Sequence, residues 1–181
     1  AIFGGRFRCV GAIRIVILGF RDFMDVSLTL RPDAVAVFPS DQCSGTSKDG
    51  VLAQLANQFA RVYGLDAADI VDGLQLREAL GSTVLVKGVA IPHCRIADVN
   101  RPTLALLQLE TPCNFEAADS LQGSLVLGLV SPENAGATHL HALAAISRLL
   151  RDETTLQALL DADDTEALYA LLTNQFLRDA A

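Results

Sequence analysis

Residues 74–95 carry the feature that most constrains the fold. They join the end of an amphipathic helix to a Gly-Ser-Thr turn and then to apolar residues that end at a Pro-His pair. The turn is Gly81-Ser82-Thr83 and the pair is Pro92-His93. The apolar residues between them fit a buried strand. His93 is therefore expected just past that strand, on backbone that the preceding proline stiffens.

The surroundings of His93 suit a histidine that takes on and gives away an anionic group. Arg77 and Arg95 place cations on either side of it in the sequence, and small residues nearby leave room for a bulky partner. Neutral imidazole is a nucleophile near neutral pH, and it leaves readily once it is protonated. Transfer of an anionic group further requires that the group be positioned and that positive charge lie close to it.

Helices and strands alternate in the middle of the chain, which predicts an α/β layered domain. An amphipathic helix is expected over Lys48–Tyr63 and ends at Gly64, and a second begins after Asp66 as its cap and closes near Gly81. The expected strands are Val26–Leu30, Ala34–Phe38, Thr83–Val86, Val89–Ile91, Thr103–Leu109 and Ser124–Val130.

Three further helices are expected towards the C-terminus. The first covers about 138–151, with a buried stripe of leucines and one isoleucine, and the second is a short helix over Thr154–Leu160. Asp163 and Glu166 have the spacing of a capping box for the third. The buried stripe of the first consists of Leu140, Leu143, Ile146, Leu149 and Leu150. Phe115 is interpreted as a packing residue.

Composition favours one packed globular domain without nucleic-acid binding. The chain has 181 residues, of which 51% are apolar and 19% charged, enough to bury most of its unfolded surface. Four of the 14 basic side chains and one of the 21 acidic ones lie in residues 1–23, which leaves ten basic and 20 acidic side chains in residues 24–181. An acidic body repels nucleic acid and anionic membrane and favours basic protein partners.

The cysteines and the apolar runs predict a cytoplasmic protein. The four cysteines form no Cys-x-x-Cys pair, which is typical of reduced thiols rather than a disulfide framework. The run Ile15–Phe20 is too short to span a bilayer. It is also a poor signal peptide, because Arg14 interrupts the apolar region.

Residues 1–23 differ from the rest of the chain. They are rich in glycine and arginine and lack clear periodicity, and the only methionine, Met24, follows them. We expect residues 1–23 to be a non-native or disordered extension and residues 24–181 to be the domain. The alternative is a genuine extension that adds an edge strand.

Two ordered motifs resemble a known family. Arg77-Glu78-x-x-Gly-Ser-Thr, followed by Gly88-Val89-Ala90-Ile91-Pro92-His93-x-Arg95, is similar to the signature of the fructose/mannitol-type IIA domains of the bacterial phosphotransferase system, most of all to the nitrogen-regulatory IIA proteins. The resemblance covers about residues 25–175. It implies a mixed β-sheet flanked by helices. Many members have a glycine-containing segment where this chain has Val84-Leu85-Val86.

The resemblance also implies roles for individual residues. His93 corresponds to the phosphorylated histidine, with the phosphate on Nε2 and Nδ1 held by a backbone carbonyl. His139 corresponds to a second histidine beside it that helps to hold the phosphoryl group, and its expected place in the first turn of a helix suits an anion. Arg77 would be the nearby cation, and Arg95 would face either the site or a partner protein. Backbone N–H groups around Gly81, Ser82 and Thr83 would be further phosphate donors.

Two residues near the motifs are given ordinary roles. Glu78 is expected to orient Arg77 or to face solvent. His141, two residues beyond His139, is expected on another side of the helix as a surface histidine.

The implied function is that of a bacterial phosphotransferase component without a cofactor. It would accept a phosphoryl group from a histidine-containing phosphocarrier protein onto His93 and, as a nitrogen-regulatory IIA protein, signal to target proteins by its phosphorylation state. The alternative is a sugar-specific IIA component that passes phosphate to a IIB domain.

Two other classes of function are compatible with the residues. A metal protein would use His93, Cys94, His139 and His141, although their spacings are not those of common metal sites. A non-catalytic interaction module would use the histidines only as structural polar residues.

Overall fold

A seven-stranded mixed sheet with five helices around it forms the part of the chain that the computed structural model describes, residues 13–17, 26–39, 47–86, 88–115 and 122–178. The strands are β1 Ile13–Ile17, β2 Val26–Phe38, β3 Val84–Val86, β4 Val89–Ala90, β5 His93–Ile96, β6 Thr103–Asn114 and β7 Gln122–Pro132. The helices are α1 Lys48–Tyr63, α2 Ala67–Glu78, α3 Ala137–Arg151, α4 Glu153–Leu160 and α5 Thr165–Arg178. The predicted α/β layered domain is confirmed. Within these ranges, no helix has the length and apolar character needed to cross a membrane.

The centre of the sheet is the antiparallel pair β6 and β7, in the strand order β1-β2-β6-β7-β4-β3. Strands β4 and β5 both run parallel to β7 and follow one another along its free side. The five consecutive residues 126–130 of β7 are all buried. Because neighbouring residues of a strand point to opposite faces, both faces of the sheet are covered here.

The two helices before the Gly-Ser-Thr turn begin and end at the residues that the sequence indicates. Ser47 caps α1, and Gly64 ends it with a positive φ of 71°, its N–H donating to Ala60 O. Asp66 caps α2 by accepting hydrogen bonds from the N–H groups of Ala68 and Asp69. The predicted span of α1 and the cap of α2 are therefore correct.

Two predicted details differ from the structure, and a third is confirmed. The two expected strands between Val26 and Phe38 form one strand, because β2 continues through a bulge between Leu30 and Val35 and keeps pairing with β6. The last helix is capped by Asp164, which accepts from Ala167 N–H, rather than by Asp163. Phe115 is fully buried, which confirms its predicted packing role.

The buried face of α3 differs from the predicted stripe at its start. Ile146, Leu149 and Leu150 are buried, but Leu140 is 60% exposed. The inward positions of the first two turns belong to His139 and Ala142. A search for large apolar residues at helical spacing overlooks an inward face that begins with a histidine and an alanine.

Five residues of the N-terminal segment lie in the sheet. Ile13–Ile17 form β1, which pairs antiparallel with the first half of β2. For these residues the arrangement is the edge strand of the alternative interpretation rather than a disordered extension. Residues 1–12 and 18–25, including Met24, lie outside the described residues. That residues 1–23 are non-native stays a prediction.

Gly128 of β7 allows α1 to lie close to the sheet, so we expect Gly128→Ala to lower the free energy of unfolding by about 2 kcal/mol. A Cβ at this position would lie 2.6 Å from Leu55 Cδ2 and 2.9 Å from Phe59 Cε2. Both side chains are fully buried, so neither can move aside without disturbing the core. Urea unfolding measures the change.

Gly50→Ala in the first turn of α1 is the matched control. The nearest atom to its Cβ would be Ser47 Oγ at 3.5 Å, an ordinary contact. Since alanine favours the helix, we expect this variant to be as stable as the parent or more stable by up to about 1 kcal/mol. Equal stability of the two variants would contradict the close-packing argument.

Candidate active site

His93, His139 and Arg77 come from three different elements and meet at one end of the sheet. Arg77 lies in the last turn of α2, His93 is the first residue of β5, and His139 lies in the first turn of α3. The rings of the two histidines have centroids 5.5 Å apart and are inclined at 48°. Residues separated by 46 positions in the chain are thus side by side.

The two nitrogens of His93 have distinct partners, and these partners fix the tautomer. Nδ1 lies 2.8 Å from Ile91 O, and Nε2 lies 2.9 Å from Arg77 Nε. A carbonyl oxygen only accepts hydrogen bonds and an arginine Nε–H only donates them. Nδ1 therefore carries the proton, and Nε2 presents its lone pair to the guanidinium.

His93 is held neutral by its surroundings. Burial lowers its pKa below the ordinary value, and the charges of Arg77 and Arg95 lower it further. The Ile91 carbonyl and the negative charge of Glu78 act in the opposite direction. A neutral imidazole with its lone pair on Nε2 is the nucleophilic form of histidine near pH 7.

Arg77 is fixed at two points. Besides the contact with His93, its Nη1 donates to Gly81 O at 3.1 Å. The side chain is half-buried, and it links the end of α2 to both the turn and the imidazole. This geometry gives a planar cation with donors left over for a ligand next to the Nε2 lone pair.

Glu78 corrects one expectation, because it neither orients Arg77 nor faces solvent. It is buried and accepts from the Thr83 hydroxyl at 2.7 Å and from Thr83 N–H at 3.3 Å. The chain reverses after α2, which brings Thr83 back over the last helical turn. The carboxylate therefore holds the Gly-Ser-Thr turn in place.

The backbone of the turn has few donors to spare in this structure. Gly81 N–H donates to Glu78 O at 3.1 Å, and Thr83 N–H is held by the Glu78 carboxylate. The Ser82 hydroxyl donates to Phe115 O at 3.3 Å. Of the three backbone N–H groups, that of Ser82 alone makes no hydrogen bond within the described residues. The prediction of phosphate donors in the turn thus depends chiefly on Ser82.

His139 is buried and has a partner that the sequence does not indicate. Its Nδ1 lies 2.9 Å from Ser131 Oγ, at the end of β7. Burial, followed by the positive charges of Arg95, of a protonated His93 and of Arg77, lowers the pKa of His139 to about 4. It is therefore neutral at pH 7, like His93.

Arg95 lies at the edge of this group. Its side chain is exposed, and its charge is close enough to lower the pKa of both histidines. His141 is half-buried, and within the described residues it makes no hydrogen bond or ring contact with the other two histidines. Arg95 therefore belongs to the charged surroundings of the site.

Three exposed leucines lie next to predicted site residues in the sequence, and sequence reasoning did not predict their exposure. Leu76 and Leu80 flank Arg77 in the chain and are 72% and 84% exposed, and Leu140, next to His139, is 60% exposed. A signal existed in the sequence, since each leucine adjoins a predicted site residue.

A metal site at the histidines finds no support in the geometry. Among the described ranges, no group of three or more His, Cys, Asp and Glu side chains is placed to hold a metal ion. Cys94 follows His93 directly, but its Sγ is buried 4.0 Å from Ile70 O, and burial raises its pKa to about 12. A thiol in that environment is a poor metal ligand.

Comparison with known proteins decides the family. The family model of the phosphoenolpyruvate-dependent sugar phosphotransferase system, EIIA 2, matches residues 36–175. The chain belongs to this family. The prediction of a phosphotransferase-system IIA domain is thereby confirmed.

The relatives of the chain include nitrogen regulatory proteins. Those of Pseudomonas aeruginosa and Bradyrhizobium diazoefficiens are 39% and 38% identical to it, over 72% and 70% of this chain and 85% and 82% of their own lengths. The crystal structure of nitrogen regulatory protein IIA-Ntr from Neisseria meningitidis superposes with a TM-score of 0.70 at 31% identity, covering 81% of this chain and 96% of that one.

The lowered pKa values make stability depend on pH, and we expect His139→Gln to weaken that dependence. The pKa of His139 is about 4 in the folded protein, against about 6.5 for an unperturbed histidine. As the pH falls below the higher value, the unfolded chain binds the proton first, so the free energy of unfolding falls. Between about pH 7.5 and pH 5.5 this residue accounts for a loss of about 1 kcal/mol.

Urea unfolding at several pH values in this window measures the slope. The carboxylates with lowered pKa, Asp33 and Asp152, titrate below the window and do not contribute. His141→Gln is the control, and it should keep the parental slope. A parental slope in His139→Gln would show that His139 is not held neutral by the fold.

Proposed function

We propose that this protein is a phosphohistidine carrier that accepts a phosphoryl group on His93 Nε2 from a histidine-containing phosphocarrier protein, as a nitrogen-regulatory IIA protein of the bacterial cytoplasm. The observation that carries the proposal is the neutral His93 ring, with Nδ1–H bound to Ile91 O and the Nε2 lone pair beside Arg77. The membership of the chain in the phosphotransferase family supports it.

In the transfer step, the Nε2 lone pair of His93 attacks the phosphorus atom of the donor phosphohistidine. A new N–P bond forms as the donor's N–P bond breaks, and the electron pair of the broken bond returns to the donor nitrogen. The His93 ring becomes positively charged, and the hydrogen bond from Nδ1–H to Ile91 O at 2.8 Å strengthens as it does so. The protein therefore stabilises charge that develops during the reaction.

Arg77 has to change partner during this step. Its Nε–H occupies the lone pair that attacks phosphorus, so the hydrogen bond to Nε2 breaks as the N–P bond forms. The anchor from Nη1 to Gly81 O keeps the guanidinium beside the ring. The released donors then face the phosphoryl oxygens, which a planar guanidinium binds well.

His139 supplies a neutral donor on the other side of the phosphoryl group. With its pKa lowered to about 4, it carries one ring proton at pH 7. Its ring centroid lies 5.5 Å from that of His93, so a donor on the His139 ring is near a phosphoryl group carried by His93. Arg95 adds positive charge at the outer edge of the site.

The exposed leucines 76, 80 and 140 suit docking of the phosphocarrier and of regulated target proteins. Each is exposed and adjoins a predicted site residue in the chain, and a docked partner would keep water away from the phosphohistidine during transfer. Phosphorylation adds about −1.5 to −2 charges at His93. Targets that bind the unphosphorylated surface would then be distinguished from those that bind the phosphorylated one.

The nitrogen-regulatory form is preferred to the sugar-specific one because of the relatives described above. A sugar-specific component would pass its phosphate to a IIB domain, and this is the second candidate function. The two differ in the fate of the phosphoryl group. A regulator keeps it until a target or the phosphocarrier takes it back, whereas a sugar-specific component loses it rapidly to IIB.

Labelling with the general phosphotransferase enzymes, the phosphocarrier and radioactive phosphoenolpyruvate tests the proposal. We expect one acid-labile phosphate per chain that requires the phosphocarrier, and we expect His93→Ala to abolish it while remaining folded. His141→Ala, with its histidine outside the site, should be labelled like the parent. Persistent labelling of His93→Ala, or none in the parent, would refute the assignment of His93.

We expect Arg77→Lys to slow phosphoryl transfer by about 10- to 100-fold, because lysine keeps the charge but cannot bind His93 Nε2 and Gly81 O with one planar group. Rapid-quench kinetics with the phosphorylated phosphocarrier measures the rate. Arg148→Lys, an exposed position of α3, is the matched control and should transfer at the parental rate. Parental kinetics in Arg77→Lys would mean that charge alone is sufficient at this position.

A further inference from the structure

The hydroxyl of Ser131 is the one contact of His139 that neither the sequence motifs nor the proposed chemistry explains. Ser131 lies near the end of β7 and is fully buried. Its Oγ is 2.9 Å from His139 Nδ1, and within the described residues this is its only hydrogen bond. A fully buried hydroxyl cannot turn to water for another partner.

These facts determine which group donates. If His139 Nδ1–H donated to Ser131 Oγ, the hydroxyl proton would have no acceptor, and a buried unsatisfied donor is costly. If the hydroxyl donates to Nδ1 instead, both groups are satisfied. Neutral His139 then carries its single proton on Nε2. A lone pair on Nε2 would repel a phosphoryl oxygen, whereas an Nε2–H can donate to it.

The strand register shows how Ser131 connects His139 to the strand that supports His93. On β7, Leu129 pairs with His93 and Ser131 pairs with Arg95, so one strand supports β5 and the contact to α3. Helix α3 has no side-chain cap at its N-terminus, where Gly136 stands. The hydrogen bond between Ser131 and His139 therefore ties the first turn of α3 to the sheet that carries His93.

We propose that Ser131 is a positioning residue for phosphoryl transfer: its hydroxyl holds the His139 ring in the Nε2–H tautomer and in the orientation that donates to the phosphoryl group on His93. The proposal rests on the proposed function, since it assigns the role of His139 in that same site. Ser131 itself touches neither the phosphoryl group nor His93.

The first test needs no variant. Long-range ¹H–¹⁵N correlation spectra of the histidine-labelled protein at about pH 7.5 distinguish the neutral tautomers of an imidazole. We expect His139 to show a protonated Nε2 and an unprotonated Nδ1. A protonated Nδ1 would overturn the proposal, whatever the phosphorylation assay gives.

The second test is a double-mutant cycle on transfer from the phosphorylated phosphocarrier. We expect Ser131→Ala to mix the His139 tautomers and to slow transfer by about tenfold, the effect of losing one orienting hydrogen bond. In a His139→Ala background, Ser131→Ala should cause no further slowing, because the serine acts only through the histidine. An equal slowing in both backgrounds would mean a structural role and would overturn the proposal.

Ser124→Ala is the matched control, since it makes the same change in the same strand. The Ser124 hydroxyl contacts Gly88 O at 3.5 Å, away from the histidines, so this variant should keep the parental tautomer and rate. Failure of the parent to be labelled on His93 would refute the proposed function instead. The tautomer spectrum would still test the hydrogen bond in that case, so the two failures are distinguishable.

Discussion

The hydrogen bond from His93 Nδ1–H to Ile91 O is the interaction on which the site depends. It joins residues two positions apart across Pro92, whose fixed φ holds the intervening backbone. The bond determines which nitrogen is protonated and therefore which lone pair is available. The other nitrogen, Nε2, is the one that Arg77 binds, and the His139 ring lies beside the His93 ring. Without this bond, only the Arg77 contact at Nε2 would hold the tautomer and the orientation of the ring.

The sheet supplies the rigidity that this bond requires. His93 begins β5, which pairs in parallel with β7. Strand β7 pairs with β6 on its other side and is buried on both faces. The same strand carries Ser131, the partner of His139. Two histidines from distant parts of the chain are thus both attached to strand β7, His93 through the pairing of β5 and His139 through Ser131. The positions of these two attachments along β7 therefore determine how far apart the rings lie. A site built on strands is held more closely than one built on loops.

Local patterns in the sequence predicted most of the elements but not the contacts between them. The span of α1 and the Asp66 cap follow from local rules of helix formation, which act over a few residues. Strand β5 was missed because four residues after a proline have too short a pattern. The Glu78 contact with Thr83 and the Ser131 contact with His139 depend on how the chain reverses and on strand register, and no spacing in one sequence encodes either. The conclusion that His139 and Arg77 lie beside His93 came from resemblance to a family and not from periodicity.

The charge balance of the site explains why it is suited to a phosphoryl group. Arg77 and Arg95 bring positive charge to two neutral imidazoles, while the Glu78 carboxylate is turned to Thr83 and satisfied there. Among the described residues, no carboxylate forms a salt bridge with either arginine, and protonation of the histidines is suppressed first by burial and then by the repulsion from these charges. A phosphoryl dianion would reverse the situation, since it would compensate the charges of both arginines and accept a hydrogen bond from Nε2–H of the neutral His139. The same groups that keep the imidazoles neutral and nucleophilic therefore stabilise the product, and the fold accomplishes both by keeping Glu78 out of the site.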